Sequence, residues 1–85
     1  MSELVQNVSG VILVTCAGNA CKEVIRKARE DISGVTDVFR VNQKKYDSAD
    51  VVINMNVETK EQLLNAKDSI LNMNGVKSIK YRITE

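Results

Sequence analysis

The fold is decided by the stretch Gly10-Val-Ile-Leu-Val-Thr-Cys-Ala-Gly18, the most apolar run of the chain, which ends in a turn of small residues. Such a run predicts a strand from about Val11 to Cys16. Because both of its faces are apolar, this strand should lie in the middle of a sheet. The next segment has apolar residues three, four and seven apart. This spacing predicts a helix that runs to about Ile32, with Asn19 as its N-cap.

Composition excludes several classes of function. The chain has 85 residues and a formal net charge of +1, so it predicts a single domain over residues 1–85 with no basic excess for binding nucleic acid directly. No apolar run approaches the roughly 20 residues needed to span a membrane. The first residues lack the basic region and apolar core of a signal peptide. These features predict a cytoplasmic protein that contacts neither nucleic acid nor membrane directly.

The cysteine and histidine counts bear on chemistry. Two cysteines and no histidine, without a secretion signal, indicate a reducing compartment and free thiols. The absence of histidine removes the commonest general base and the commonest metal ligand. No nucleophile–base set, glycine-rich phosphate loop or carboxylate pair stands out. We therefore expect a protein that is not an enzyme and that needs no cofactor.

The rest of the chain reads as further strands and one more helix. Thr59 and Gln62 form a capping-box pattern that starts a second helix, which should end near Met73. The predicted strands run from Val35 to about Val41, from Asp50 to Val57 and from Val76 to Ile83. Residues 42–48 are polar and predict a long hairpin connection, for which the sequence leaves a role in binding open.

An internal repeat gives the topology. The segment Ser33-Gly-Val35 matches Asn74-Gly-Val76 at an offset of 41, and the same offset places Ile12 on Ile53 and Cys16 on Val57. The chain is thus two β-α-β halves in one register. Two such halves make an α+β fold, the ferredoxin-like βαββαβ plait, with a four-stranded antiparallel sheet and two helices on one face.

The repeat also sorts the faces of the sheet. Ile12, Val14 and Cys16 should face the helices, so the alternate residues of the first strand should face away. Together with residues of the second and third strands they predict an exposed apolar patch, which a soluble monomer rarely leaves open. A second copy packed sheet against sheet would cover it. The residues expected at this interface are Val11, Leu13, Phe39, Val41, Val52 and Asn54.

The two cysteines have two interpretations. A plait with two thiols in the first strand–helix loop resembles the heavy-metal-associated domain, which implies binding of copper or zinc. The spacing here, Cys16-x-x-x-x-Cys21, is two residues longer than the Cys-x-x-Cys of that domain. The favoured interpretation is that both cysteines are small apolar residues of the core. A metal-binding chaperone that uses Cys16 and Cys21 is the alternative.

A more extensive resemblance covers residues 10–83. The stretch 10–18, then Ile32-Ser-Gly-Val-Thr-Asp-Val38, then Asp50-Val-Val-Ile, then Ile70-Leu-Asn-Met-Asn-Gly-Val-Lys-Ser78, resembles the effector-binding (RAM) domain of Lrp/AsnC regulators. Fewer than ten residues precede the first strand, so the similarity is to the stand-alone form without a helix-turn-helix. The resemblance implies sheet-to-sheet homodimers, larger rings, a small amino-acid effector and a role in transcription regulation, with a helix-turn-helix-bearing relative as a candidate partner.

The resemblance also implies a ligand site. The family commonly has Gly-x-Tyr-Asp before the third strand, and its aspartate aligns with Asp50, while Ala49 stands at the tyrosine position and the glycine is missing. Asp50 would accept the ammonium of an amino acid, and amides at the start of the first helix would bind its carboxylate. Equally, Asp50 could simply end the hairpin. The residues implied are Thr15, Ala17, Gly18, Ala49, Asp50 and Val51.

Overall fold

The computed structural model describes residues 7–41 and 49–84. The predicted hairpin connection, residues 42–48, lies outside the described residues. Within them no helix is long and apolar enough to cross a lipid bilayer. The elements in chain order are β1 (Val8–Cys16), α1 (Gly18–Glu30), β2 (Val35–Arg40), β3 (Val51–Val57), α2 (Lys60–Leu71) and β4 (Val76–Ile83).

The four strands form one antiparallel sheet in the order β2-β3-β1-β4. The central position predicted for β1 is confirmed: Ile12 lies opposite Ile53 of β3 on one side and opposite Tyr81 of β4 on the other. β1 starts three residues earlier than predicted, because Val8 still pairs with Val57. The fold is the predicted ferredoxin-like α+β plait.

The core lies between the sheet and the two helices. β1 and β3 supply its floor, with Ile12, Val14 and Ile53 fully buried. Val24 of α1 and Leu63 of α2 are fully buried against them, in the same apolar cluster. This is the inward set that the apolar periodicity predicts, and its burial is the main driving force for folding.

The two halves are built alike at the point where each helix returns to the sheet. Gly34 and Gly75, 41 positions apart, both have φ +90°, a left-handed conformation that side chains beyond glycine rarely adopt. A Cβ at Gly75 would overlap the Cβ of Ala20 in α1. The capping box predicted at α2 is also confirmed, since Thr59 accepts from the Gln62 amide at 3.2 Å and Gln62 reaches back to Thr59.

We expect Gly75→Ala to lower the free energy of unfolding by about 1–3 kcal/mol, because it combines an unfavourable φ with a steric overlap against Ala20. Gly18→Ala is the matched control: it stands in the first turn of α1, and a Cβ there meets nothing within 4 Å. It should leave stability unchanged or raise it slightly. Urea denaturation measures both variants, and equal stabilities would contradict this account of Gly75.

Candidate functional site

The candidate site lies at the end of the sheet where β1 finishes and β3 and β4 begin, here called the Cys16 end. Val14 pairs with Val51 at the start of β3, and Cys16 pairs with Val76 at the start of β4. The chain leaves β1 at Cys16 and enters α1 at Gly18, so only Ala17 separates strand from helix. The short connection brings the first turn of α1 directly over the strand end.

Asp50 is fixed at the Cys16 end by hydrogen bonds to β1 and to the residue that follows β2. Its backbone N–H donates to the Val14 carbonyl at 2.7 Å, and its own carbonyl accepts from the Val41 amide at 2.9 Å. Its side-chain Oδ2 accepts from the Cys16 amide at 3.0 Å. Asp50 is half-buried. The carboxylate is therefore held in one place, next to the last residue of β1.

The start of α1 differs from the prediction. Asn19 was expected to cap the helix, but the N-cap is Ala17, and no side chain accepts a hydrogen bond there. The reason is a long-range bond: the Ala17 amide donates to the Gly75 carbonyl at 3.0 Å, which fixes Ala17 in an extended conformation and lets the helix begin at once. Cys21 makes the first helical bond, to the Ala17 carbonyl. The N–H groups of Gly18, Asn19 and Ala20 thus have no partner within the helix.

The prediction of free thiols is wrong for this structure, which joins Cys16 and Cys21 in a disulfide. Cys16 faces the helices from the end of β1, and Cys21 faces the sheet from the first turns of α1. The tight connection between them leaves the two Cα atoms 5.5 Å apart, a separation that suits a disulfide. Cys16 and Cys21 are 6% and 1% exposed, which agrees with the expectation that both side chains face the core.

The structure also brings Asp50 to the two cysteines. A carboxylate oxygen of Asp50 and the sulfurs of Cys16 and Cys21 all lie within 4.8 Å of one another. Sequence reasoning treated the cysteine pair and the aspartate as separate candidates, because 34 positions separate Cys16 from Asp50. Their contact follows from the antiparallel pairing of β1 with β3, which places the end of β1 beside the start of β3.

The other predicted ligand residues do not all face the Cys16 end. Thr15 is half-buried, and Gly18 is exposed at the start of α1. Val51 is fully buried in the core beneath the helices, so it offers a ligand only its backbone. Ala49, 2% exposed, packs on the opposite face of the sheet against Leu13 and Val52. The Ala17 amide already donates to Gly75, which removes one of the donors expected for a carboxylate.

The face of the sheet away from the helices, here called the outer face, is less open than predicted. Leu13 and Val52 are only 7% and 3% exposed, because they pack with Ala49, Val11 and Val41 of the same chain. The expectation that these side chains form an open patch is therefore wrong at its centre. Of the residues expected at the interface, Val11, Val41 and Asn54 are half-buried and Phe39 is 39% exposed.

A second concave region lies at the opposite end of the molecule, between the end of α1 and the start of α2. Its volume is about 540 Å³, and polar and apolar groups line it in similar measure, with Asn56, Gln62 and Asn65 among the polar ones. The Gln62 amide oxygen already accepts from the amides of Glu58 and Thr59 in the capping box. No pattern in the sequence pointed to this cavity, because its lining combines exposed and buried residues from segments that are distant in the chain.

No protein-family model and no curated protein matches the chain. Solved structures do. TTHA0845 from Thermus thermophilus superposes with a TM-score of 0.79 at 19% identity, over 92% of both chains. The transcriptional regulator NMB0573 from Neisseria meningitidis, solved as a complex with L-Met, gives 0.72 at 15% identity, and AsnC from E. coli gives 0.68 at 13%.

The chain has the fold of these proteins. The alignments to NMB0573 and AsnC cover 92% and 91% of this chain but only 49% and 50% of the regulators' chains. The alignment to TTHA0845 covers both chains nearly in full. The fold implied by the resemblance to Lrp/AsnC effector domains is thereby confirmed, in a chain that corresponds to about half of the regulators' length.

The hydrogen bond between Asp50 and the Cys16 amide should contribute to stability. Asp50→Ala removes the acceptor and leaves a donor without its partner, so we expect a loss of about 1–3 kcal/mol in the free energy of unfolding. Asp50→Asn keeps an oxygen acceptor and should lose less. Asp68→Ala is the control, since the Asp68 side chain is 63% exposed beside Lys67. A loss no larger for Asp50→Ala than for Asp68→Ala in urea denaturation would contradict this role.

Proposed function

We propose that the chain is a non-enzymatic module that binds a small amino acid at the Cys16 end, forms oligomers and acts in transcription regulation. The observation that carries the proposal is the position of the Asp50 carboxylate. It is bound to the Cys16 amide, at the end of the strand that leads into an uncapped helix. A negative acceptor bound at Cys16 and a set of N–H donors that begins at Gly18 thus lie at the same end of the sheet.

The two charged groups of an amino acid match this arrangement. An ammonium group needs acceptors and a negative charge nearby, and the Asp50 carboxylate supplies both. A carboxylate group needs donors, which the N–H groups of Gly18, Asn19 and Ala20 can supply at the positive end of the α1 dipole. Gly18 and Asn19 are exposed, and Thr15 lies half-buried beside them.

The similar structures support this choice of ligand. NMB0573 is a transcriptional regulator whose complex contains L-Met, and it shares the fold over 92% of this chain. Regulators of that kind carry further sequence, since this chain covers about half of their length. A partner that contributes a helix-turn-helix, such as a related regulator, would connect ligand binding here to DNA.

A second copy is the occupant that best fits the outer face. The apolar centre is bordered by Phe39 and by the half-buried Val11 and Val41. By register, Asp37 lies on this face at the β2 edge, and Lys80 and Arg82 lie on it at the β4 edge. A two-fold axis parallel to the strands would place β4 of one copy over β2 of the other, where these opposite charges complement each other.

Binding and assembly would be coupled only if the ligand prefers one assembly state, since a ligand with equal affinity for both shifts neither. Ala49 connects the two regions structurally. It precedes Asp50 directly and packs beneath the outer face against Leu13 and Val52. A ligand that draws on the Asp50 carboxylate therefore acts one residue away from the proposed interface.

The ligand is tested by calorimetry with a panel of free amino acids on the wild type and on Asp50→Asn. We expect the wild type to bind one of them with a dissociation constant between micromolar and millimolar, about 4–8 kcal/mol. Asp50→Asn should weaken binding at least about tenfold, because it removes the charge but keeps an acceptor for the Cys16 amide.

Asp68→Asn makes the same change of charge on an exposed position of α2 and should bind like the wild type. Equal binding by Asp50→Asn and the wild type would remove Asp50 from the site. If the wild type binds no amino acid, the module is an assembly domain without this ligand.

The interface is tested with Phe39→Lys, because Phe39 is 39% exposed in the single chain and its replacement should disturb the monomer little. In the proposed dimer the new positive charge would face the β4 edge of the second copy, which carries Lys80 and Arg82, so we expect dissociation to monomers in sedimentation velocity. Leu71→Lys is the matched control, since Leu71 is 41% exposed on α2. A dimer that persists in Phe39→Lys, or that is lost equally in both variants, would contradict this interface.

A further inference from the structure

The Cys16 end contains a donor set that the amino-acid site does not use in full. Two sulfurs and one carboxylate oxygen, from Cys16, Cys21 and Asp50, lie within 4.8 Å of one another. They come from three different segments: the end of β1, the first turns of α1 and the residue before β3. Among the residues that the structure describes, no other cysteine, aspartate or glutamate side chains form such a group.

The three donors are held by backbone hydrogen bonds that do not depend on the disulfide. The Asp50 carboxylate is oriented by the Cys16 amide at 3.0 Å, and the Asp50 backbone is tied to Val14 at 2.7 Å. Cys21 is placed by its own amide, which donates to the Ala17 carbonyl at 3.1 Å. Opening the disulfide would therefore leave the sulfurs and the carboxylate close together, with only side-chain rotation needed to separate the sulfurs.

We propose that the reduced form of the protein binds a Zn²⁺ ion through the thiolates of Cys16 and Cys21 and the carboxylate of Asp50. Zn–S and Zn–O distances of about 2.3 and 2.0–2.2 Å place tetrahedral ligands roughly 3–4 Å apart, which is within the span of this group. Three protein ligands leave a fourth position for water or another ligand.

The site exists only after a two-electron reduction. A thiol or phosphine reductant cleaves the Cys16–Cys21 bond, and each sulfur takes up one electron and one proton while the reductant is oxidised. In that state the Cys21 thiol can donate to the Cys16 carbonyl, which lies 3.4 Å away. Binding of Zn²⁺ then releases both thiol protons to solvent. The disulfide form offers a single carboxylate and is not expected to hold the ion.

The composition of the donor set favours zinc over copper. Cu(I) is satisfied by two thiolates, and a carboxylate adds little for so soft an ion, whereas Zn²⁺ accepts sulfur and oxygen together. The burial of both cysteines, at 6% and 1% exposure, keeps water from competing on the sulfur side. The half-buried Asp50 leaves a path for the ion from solvent.

The experiment uses the full chain, reduced with a phosphine, freed of reductant under argon and titrated with Zn²⁺ against a chromophoric chelator. We expect one ion per chain in the reduced protein and none in the oxidised protein. Cys21→Ser should abolish binding, and Asp50→Asn should weaken it at least about tenfold, the loss typical of even indirect partners of a metal site. Asp68→Asn, with its exposed carboxylate on α2, should bind as the wild type does.

A second readout covers the case in which a variant fails to fold. Co²⁺ in place of Zn²⁺ should give thiolate-to-metal charge-transfer bands and the visible bands of tetrahedral coordination in the reduced wild type and in Asp68→Asn, but not in Cys21→Ser. Absence of these bands, or of zinc binding by the reduced wild type, overturns the site and leaves a structural disulfide. Unchanged zinc affinity in Asp50→Asn overturns the three-ligand assignment.

Discussion

The structure depends on the double pairing of β1, which exchanges backbone hydrogen bonds with β3 on one side and with β4 on the other. A strand in this position must be apolar on both faces, because neither edge nor face reaches water. The helices cover one face. The other is covered by the segment that enters β3, where Ala49 packs on Leu13 and Val52. That cover is what brings Asp50 to the end of β1, so the candidate site is a consequence of how the central strand is buried.

The internal repeat provides a comparison within one chain. At an offset of 41, Cys16, Ala17 and Gly18 correspond to Val57, Glu58 and Thr59. In the second half the Thr59 side chain accepts from the Gln62 amide, and the Gln62 side chain accepts from the amides of Glu58 and Thr59. In the first half the N-cap is Ala17, which has no side-chain oxygen to accept from the amides at the start of α1. Since the two halves share strands, helices and returning glycines, this difference is local, and it is the reason for proposing the ligand site in the first half.

The sequence predicted features that depend on local pattern and missed those that depend on distant contacts. Periodicity and the repeat yielded the order of the six elements, the central strand and the inward side chains, because each follows from spacing along the chain. Asn19 was chosen as a cap because its side chain suits the role, whereas the Ala17 amide is fixed by Gly75. The thiols were expected to be free because the sequence has no secretion signal. That reasoning does not consider how far apart Cys16 and Cys21 lie in the fold. The outer face was expected to be open because Ala49 was not placed over Leu13.

The two proposals draw on the same carboxylate, and this links them. An ammonium group and a zinc ion both require the negative charge of Asp50, so a chain that holds one should bind the other less well. By linkage, the reduction in affinity must be the same in both directions. The redox state of Cys16 and Cys21 decides whether zinc can compete with the amino acid, since only the separated sulfurs can bind the metal. In the disulfide form the amino acid has no metal competitor at Asp50, whereas in the dithiol form the metal competes for it. Ala49, the residue before Asp50, packs under the proposed interface. The amino acid and the zinc ion would therefore both influence assembly through the same residue.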